Sequence, residues 1–277
     1  MREDVCAIIV TYLPILERLE QVLLNICPQC KVVIIDNSEN RDSEQIKKYS
    51  DANGCSLIVN KKNLGIAAAQ NQGISFALDQ GYNYVLLLDQ DSIVCDGFVQ
   101  KLMSFVEKDS MSVISGRAIN ARNRDVSNSN LKKNSFVEQR DLMSSGTLIN
   151  RNALETVGVF EESLFIDCVD FEWGWRARSL GIKLILVREA YFSHAIGDGR
   201  ERYEQLPSPI RHYYQTRNIS HMLTRHYVPK AWKIKQLLFF VPKILKILIF
   251  GSEKRRRIGY ILKGMYDFSR NRFGPLT

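Results

Sequence analysis

Short apolar runs alternate with segments whose apolar positions recur every three or four residues, and this alternation fills the first half of the chain. Val5–Tyr12 reads as a strand, because its β-branched and apolar residues run unbroken, as in a strand buried on both faces. A helix follows from about Ile15 to Ile26, with Leu16, Leu19, Leu23 and Leu24 near helical spacing. Lys31–Ile35 is a second buried strand, and it ends on Asp36-Asn37-Ser38. A polar helix, a short strand at Ser56–Val59 and a helix over Ile66–Gln80 come next. Tyr84–Leu88 is a fourth strand, with Asp89-Gln90-Asp91 at its C-terminal end. Strand then helix then strand predicts an α/β fold: a Rossmann-like, mostly parallel central sheet flanked by helices.

After Gly116 the pattern changes. Arg117–Arg140 is polar and Asn-rich and reads as a loop or hairpin excursion. Ser144–Ile149 is expected to be a strand, followed by a short helix from Asn152. Val169–Leu180 is helical, Lys183–Val187 and Tyr191–His194 are two short strands, and helices fill the chain from Pro209. There is no internal repeat or sharp linker. The expected organisation is therefore one large domain over 1–225 with a helical C-terminal extension over 226–277. A chain of 277 residues is long enough to bury such a core.

Composition changes this picture little, but charge does. Hydrophobic residues at 45% and charged residues at 25% are ordinary for a folded protein. No signal peptide is visible after Met1-Arg2-Glu3-Asp4, so the expected compartment is the cytoplasm. Single cysteines at 6, 55, 95 and 168 fit buried thiols. Cys27 and Cys30 form a C-x-x-C that follows a helix rather than starting one, the wrong end for a redox pair, and no second pair completes a zinc site. The net charge of +8 resides in the tail: Lys230–Thr277 holds 12 Lys/Arg against 2 Asp/Glu, and the rest 26 against 28. That bias points to a local anionic partner.

Within the tail, Trp232–Phe250 is apolar but broken by Lys235, Pro242, Lys243 and Lys246. It falls short of the ~20 uninterrupted apolar residues of a spanning helix. The three lysines lie within roughly 80° of arc on a helical wheel, and Lys254-Arg255-Arg256-Arg257 follows. This pattern predicts a helix lying on an anionic membrane surface, on the inner face of the cell membrane; the alternative is a core-packing helix with a solvated basic end. No nucleic-acid reading motif or aromatic stacking platform accompanies the basic residues, which argues against nucleic acid as partner.

Three polar clusters carry candidate chemistry. Asp89 and Asp91, one residue apart after an apolar strand, supply oxygen ligands for a hard divalent ion and leave positions free for a diphosphate. Asp36 can accept from the imide N–H of a pyrimidine base or from a ribose hydroxyl, while Ser38 can cap the following helix. In Asn63-Leu64-Gly65-Ile66-Ala67-Ala68-Ala69-Gln70-Asn71-Gln72-Gly73, small residues either admit a nucleotide or sugar to the backbone or permit tight helix–sheet packing.

Thr11-Tyr12, Asp36-Asn37-Ser38, Asn63-x-Gly65…Asn71-x-Gly73 and Leu88-Asp89-x-Asp91-Ser92, in this order, resemble glycosyltransferase family 2, an inverting family on the GT-A fold. The resemblance runs on through Ser144-Ser145-Gly146, Phe165–Trp173, His194 and Arg217-Asn218, and is strongest to bacterial rhamnosyltransferases using dTDP-L-rhamnose in surface polysaccharide synthesis. It implies a nucleotide-sugar donor held by Thr11, Tyr12, Asp36, Asn37, Asn63, Gly65, Asn71, Asp89 and Arg217, with Arg217 at the diphosphate. It implies Mg2+ or Mn2+ on Asp91, Asp89 and His194. It also implies a lipid-linked saccharide acceptor near Ser145, Gly146, Glu172 and Trp173. Val169-Asp170 stands where the family carries Glu-Asp, so Asp170 is the expected base, with Asp167 and then Glu172 as its competitors. UDP-galactofuranose or a UDP-hexose is the rival donor, and a non-catalytic, membrane-docked nucleotide-sugar-binding protein is the rival class.

Overall fold

The computed structural model describes residues 1–41, 43–106, 112–120, 136–194 and 206–276; of Asn120 and His194 only the backbone is described. Among the described residues nine strands form one sheet in the order β3-β2-β1-β4-β8-β6-β9-β5, with β7 also on β9. The strands are β1 (Arg2–Thr11), β2 (Cys30–Asp36), β3 (Ser56–Val59), β4 (Tyr84–Asp89), β5 (Ile93–Val94), β6 (Val113–Asn120), β7 (Phe136–Glu138), β8 (Thr147–Asn150) and β9 (Leu184–His194). β1 pairs in parallel with β2 and β4, and β2 with β3, whereas β8 runs antiparallel between β4 and β6. The first half is the expected parallel sheet.

Alternate residues of the central strands enter two cores. Ile9, Ile34 and Leu86 pack under α1 (Leu16–Ile26) and α4 (Phe98–Val106). Ile8, Val33 and Leu87 pack under α3 (Ile66–Asp79), α5 (Arg151–Val157) and α6 (Val169–Ser179). The polar α2 (Ser43–Ala52) connects β2 to β3. α1 buries Leu19, Val22, Leu23 and Ile26, an i, i+3, i+4, i+7 stripe, and leaves Leu24 exposed. α3 lies very close to the sheet: a Cβ on Gly73 would sit 2.3 Å from Ile8 Cγ2.

Two expectations change here. Lys183–Val187 and Tyr191–His194 are one strand, β9, which follows β6 across a register shift between Gly116 and Arg117. The irregularity absorbs the polar Arg188-Glu189 that split the pattern in the sequence. The excursion over Arg117–Arg140 contributes strand at both ends, in β6 and β7, and its middle, 121–135, lies outside the described residues.

The chain ends in α7 (Pro209–Thr224), α8 (Lys230–Phe250) and α9 (Lys254–Ser269). The extension is tied back to the main body: Tyr213 Oη donates to Asp267 Oδ2 at 2.8 Å, and the Gly274 N–H to the Ser163 carbonyl at 2.8 Å. Arg257 of the basic run turns inward, 5% exposed, and donates to His212 Nε2 at 2.9 Å. Of the two C-x-x-C thiols, Cys30 is buried in β2, while Cys27 Sγ lies 3.4 Å from Cys55 Sγ.

Candidate active site

Parallel pairing sets Asp36 beside Thr11 and Asp89 beside Val10, so three strand ends meet at one edge of the sheet. Thr11 Oγ1 donates to Asp36 Oδ1 at 2.9 Å, and the Ser38 N–H to the same oxygen at 3.1 Å. Asp36 is fully buried, yet Oδ2 has no partner among the described residues. A bare buried carboxylate oxygen is costly, which suits the place to a ligand N–H.

Gln90, between the two aspartates, ties the exit of β1 to that of β4. Its Oε1 accepts from the Tyr12 N–H at 2.7 Å, and its Nε2 donates to the Tyr12 carbonyl at 3.3 Å. Behind the turn, Ser145 Oγ accepts from the Asp89 N–H at 3.0 Å and lies 2.9 Å from Ser92 Oγ. These bonds fix a turn that carries Asp89 and Asp91, both partly accessible, at the edge of the sheet. β5 pairs Ile93 with Ser193, which brings the backbone of His194 to the exit of the same turn; its side chain lies outside the described residues. Among the described residues no three His, Cys, Asp or Glu side chains are preassembled for a metal. Two carboxylates on one turn are nevertheless a suitable partial set for Mg2+ or Mn2+, which take their remaining ligands from water and substrate phosphate.

The second part of the site is a loop held in unusual backbone conformations. Phe165, Asp167 and Cys168 have φ of 64°, 66° and 66°. Left-handed non-glycine residues cost on the order of 1–3 kcal/mol each and persist where neighbours enforce them. Here Asn218 Nδ2 donates to the carbonyls of Leu164, Ile166 and Asp167 at 2.9, 2.7 and 3.0 Å. The fully buried Arg217 donates to the carbonyls of Ser163, Leu164 and Gly274 at 3.2, 3.0 and 2.6 Å, among the rings of Tyr213, Tyr214 and Phe273.

The loop and the first turn of α6 carry Asp167 and Asp170 into a cavity of about 260 Å³ shared with Gln70, Ser144 and Arg211. Arg211 pairs with Asp167 across it, at 2.5 and 3.3 Å. Burial raises the Asp170 pKa above the ordinary carboxylate value; the N–H groups of Phe171 and Asp170 lower it, and the charges of Asp167 and Asp141 raise it. Gln70 is 4% exposed, and its Oε1 has no partner among the described residues.

The residues expected to hold the donor make the following contacts within the protein. The Arg217 guanidinium donates to three main-chain carbonyls and holds the loop, whereas Arg211 of the same helix lines the cavity. Asn37 donates to the Gly65 carbonyl at 3.1 Å and accepts from Asn60 at 2.9 Å. Asn71 donates to the Phe160 carbonyl and Glu162, both at 2.9 Å, and accepts from the Phe160 N–H at 2.9 Å. Both amides tie neighbouring segments of the framework together. Asn63 Oδ1 accepts from the Gly65 N–H at 2.9 Å. Gly65, at φ 83°, admits the Phe165 carbonyl, since a Cβ would lie 2.5 Å from that oxygen.

The residues expected at the acceptor also have partners within the protein. Ser145 supports the Asp89 turn, and a Cβ on Gly146 would strike Phe192 at 2.8 Å and closer. Glu172, 1% exposed, pairs with Arg176 at 2.8 Å and accepts from Tyr227 Oη at 2.6 Å. Trp173 Nε1 donates to the Gly158 carbonyl at 2.7 Å. Sequence reasoning missed Arg211, Gln70 and Gln90. The signal for Arg211 was its place about one and two-thirds turns before Arg217, roughly 120° around the same helix.

Carboxylates gathered at the carboxyl ends of parallel strands, with an acid-and-arginine cleft beside them, define a glycosyltransferase of the GT-A fold. Residues 6–165 match the model for glycosyl transferase family 2, and the chain belongs to that family. It is 32% identical over 284 residues to the dTDP-rhamnosyl transferase RfbF of Shigella flexneri, covering 95% of this chain and 93% of that one. A low-salt glycan biosynthesis hexosyltransferase, Agl10 of Haloferax volcanii, is 23% identical over 202 residues, 66% of this chain and 64% of its own. The fold is shared with TarS 1-349 of S. aureus in complex with UDP-GlcNAc (TM-score 0.58, 17% identity, 95% of this chain and 80% of that one). It is also shared with GalNAc-T7 bound to UDP, GalNAc and Mn2+ (TM-score 0.63, 14% identity, 96% and 56%).

Proposed function

We propose that the protein transfers L-rhamnose from dTDP-L-rhamnose, with inversion, to a lipid-linked saccharide in surface polysaccharide synthesis. The observation that carries the reading is the bare oxygen of buried Asp36, aligned along one sheet edge with the Asp89–Asp91 turn. The likeness to RfbF over nearly the whole chain supports the choice of sugar and nucleotide.

The base N3–H donates to Asp36 Oδ2, and Thr11 and Tyr12 wall the same end of the donor. Asp91, with Asp89 and His194, would hold Mg2+ or Mn2+, which when bound neutralises charge on the departing diphosphate. Arg211 leaves Asp167 to meet the diphosphate, a task suited to a planar, permanent cation. Gln70 Oε1 accepts from a sugar hydroxyl. Asp170 takes the proton of the acceptor hydroxyl as its oxygen bonds to the anomeric carbon. The bond from that carbon to the diphosphate oxygen breaks, and its electron pair leaves with dTDP. Burial of Asp170 strengthens it as a base.

No helix among the described residues is long and apolar enough to cross a membrane. The outward face of α8, with Leu238, Val241 and Ile249 61–69% exposed, and the exposed Lys254, Arg255 and Arg256 beyond it, support docking on an anionic bilayer. Thermal-shift titration with dTDP-rhamnose, UDP-galactofuranose and UDP-glucose tests the donor. Stabilisation by dTDP-rhamnose alone is expected, lost in Asp36→Ala; preference for a UDP-sugar would overturn it.

A further inference from the structure

Helix α8 turns polar side chains toward the protein. Gln236 and Lys243 lie on its packed side with Phe240, Ile244 and Ile247, while Leu238, Val241 and Leu245 are 51–69% exposed on the other. A surface helix usually does the reverse. Lys243 Nζ is held there, donating to Gln215 Oε1 of α7 at 3.0 Å.

Between α7, α8 and α9 runs an apolar groove of about 610 Å³, walled by Ile219, Leu223, Phe240 and Met265, with Lys243 and Lys246 beside them. That volume lies within the ~300–1,000 Å³ of small-molecule sites. Lys243 also faces Asp167 and Cys168 of the candidate cleft: burial lowers its pKa, and those two groups raise it. Lys243 therefore lines the groove and lies within electrostatic reach of two residues that line the cleft.

We propose that the groove holds the hydrocarbon chain of the acceptor, a lipid diphosphate carrying the saccharide, with Lys243 and Lys246 on its diphosphate. The apolar walls suit a hydrocarbon chain, and the two lysines beside them suit its diphosphate. A flat bilayer covers the outward face of α8 but does not fill a groove. A second copy docking an apolar helix there would bury both lysines without counter-ions, which is costly. The inference rests on the lipid-linked acceptor proposed above.

The test uses the full chain and farnesyl diphosphate, with farnesol and inorganic diphosphate as its two halves. Farnesyl diphosphate is expected to bind at least about tenfold more tightly than either half. Leu223→Arg, and Met265→Trp at a half-exposed position, are each expected to weaken it about tenfold, leaving the dTDP-rhamnose thermal shift unchanged. Lys243→Gln should erase the advantage of farnesyl diphosphate over farnesol. Leu238→Ser, on the outward face, should weaken binding to vesicles of phosphatidylcholine and phosphatidylglycerol at about three to one, but not to farnesyl diphosphate. Farnesyl diphosphate binding no tighter than inorganic diphosphate, or indifferent to Leu223→Arg and Met265→Trp, would overturn the proposal. So would a dimer that Leu223→Arg dissociates, which would give the groove to a second copy. Tight farnesyl diphosphate binding with no response to dTDP-rhamnose would sink the donor reading and leave the groove standing.

Discussion

Arg211 grips Asp167 across the mouth of the cleft, two guanidinium nitrogens on two carboxylate oxygens, with Asp170 beside them in the first turn of α6. An arginine held by one carboxylate before the donor arrives can exchange it for a diphosphate without a second cation. Arg211→Ala is expected to weaken donor binding by about tenfold to a hundredfold, the size of a charged hydrogen bond, with thermal stability nearly unchanged. Isothermal titration with dTDP checks this; wild-type affinity in the variant would remove Arg211 from the donor site.

Arg217→Met should behave oppositely. Its removal strips the carbonyls of Ser163, Leu164 and Gly274 of their donor and loosens the loop that carries Asp167. A loss of about 3 kcal/mol in denaturant unfolding is expected, with dTDP affinity of the folded protein retained. A stable variant that fails to bind dTDP would restore a diphosphate role to Arg217.

Asp170 sets the pH dependence. Its burial-raised pKa means that the base gains a proton, and activity falls, at a higher pH than an ordinary carboxylate near 4 would dictate. The acid limb of kcat/KM is expected to be displaced upward accordingly, and Asp170→Asn to bind donor but lose at least about a hundredfold in kcat. The same behaviour in Asp167→Asn, with Asp170→Asn active, would move the base to Asp167.

His212 gives a stability test away from the chemistry. Burial and the charges of Lys243 and Arg257 pull its pKa down to about 4 from 6.5. Above about 6.5 neither state holds the proton; between there and about 4 the unfolded chain binds it and the folded one does not. Stability should therefore fall as pH drops through that window, and His212→Gln should flatten the slope in urea titrations. An unchanged slope would show that other groups carry the acid sensitivity.

Much of the fold was legible because parallel strands buried on both faces leave unbroken apolar runs, as in Val5–Val10 and Val85–Leu88. Register then follows, and with it the neighbourhood of Asp36 and Asp89. The direction of a side chain around a helix was not legible. Arg211 and Arg217 share one helix, and only its docking against the 163–168 loop decides which enters the cleft. Asn71 and Glu172 carry groups suited to a ligand, yet each meets a protein partner distant in sequence. The inward turn of Lys243 was hidden for a similar reason: the α8 lysines cluster on the wheel, but the groove that Lys243 and Lys246 line is completed by α7 and α9.

The most direct test is transfer itself, followed as product from dTDP-rhamnose and a lipid-linked acceptor in Mn2+ and in chelator, for wild type and Asp91→Ala. The expected result is rhamnosylated product from wild type in Mn2+, with none in chelator and none from Asp91→Ala in either condition. Full transfer by Asp91→Ala, or by wild type in chelator, would contradict the metal-bound donor site.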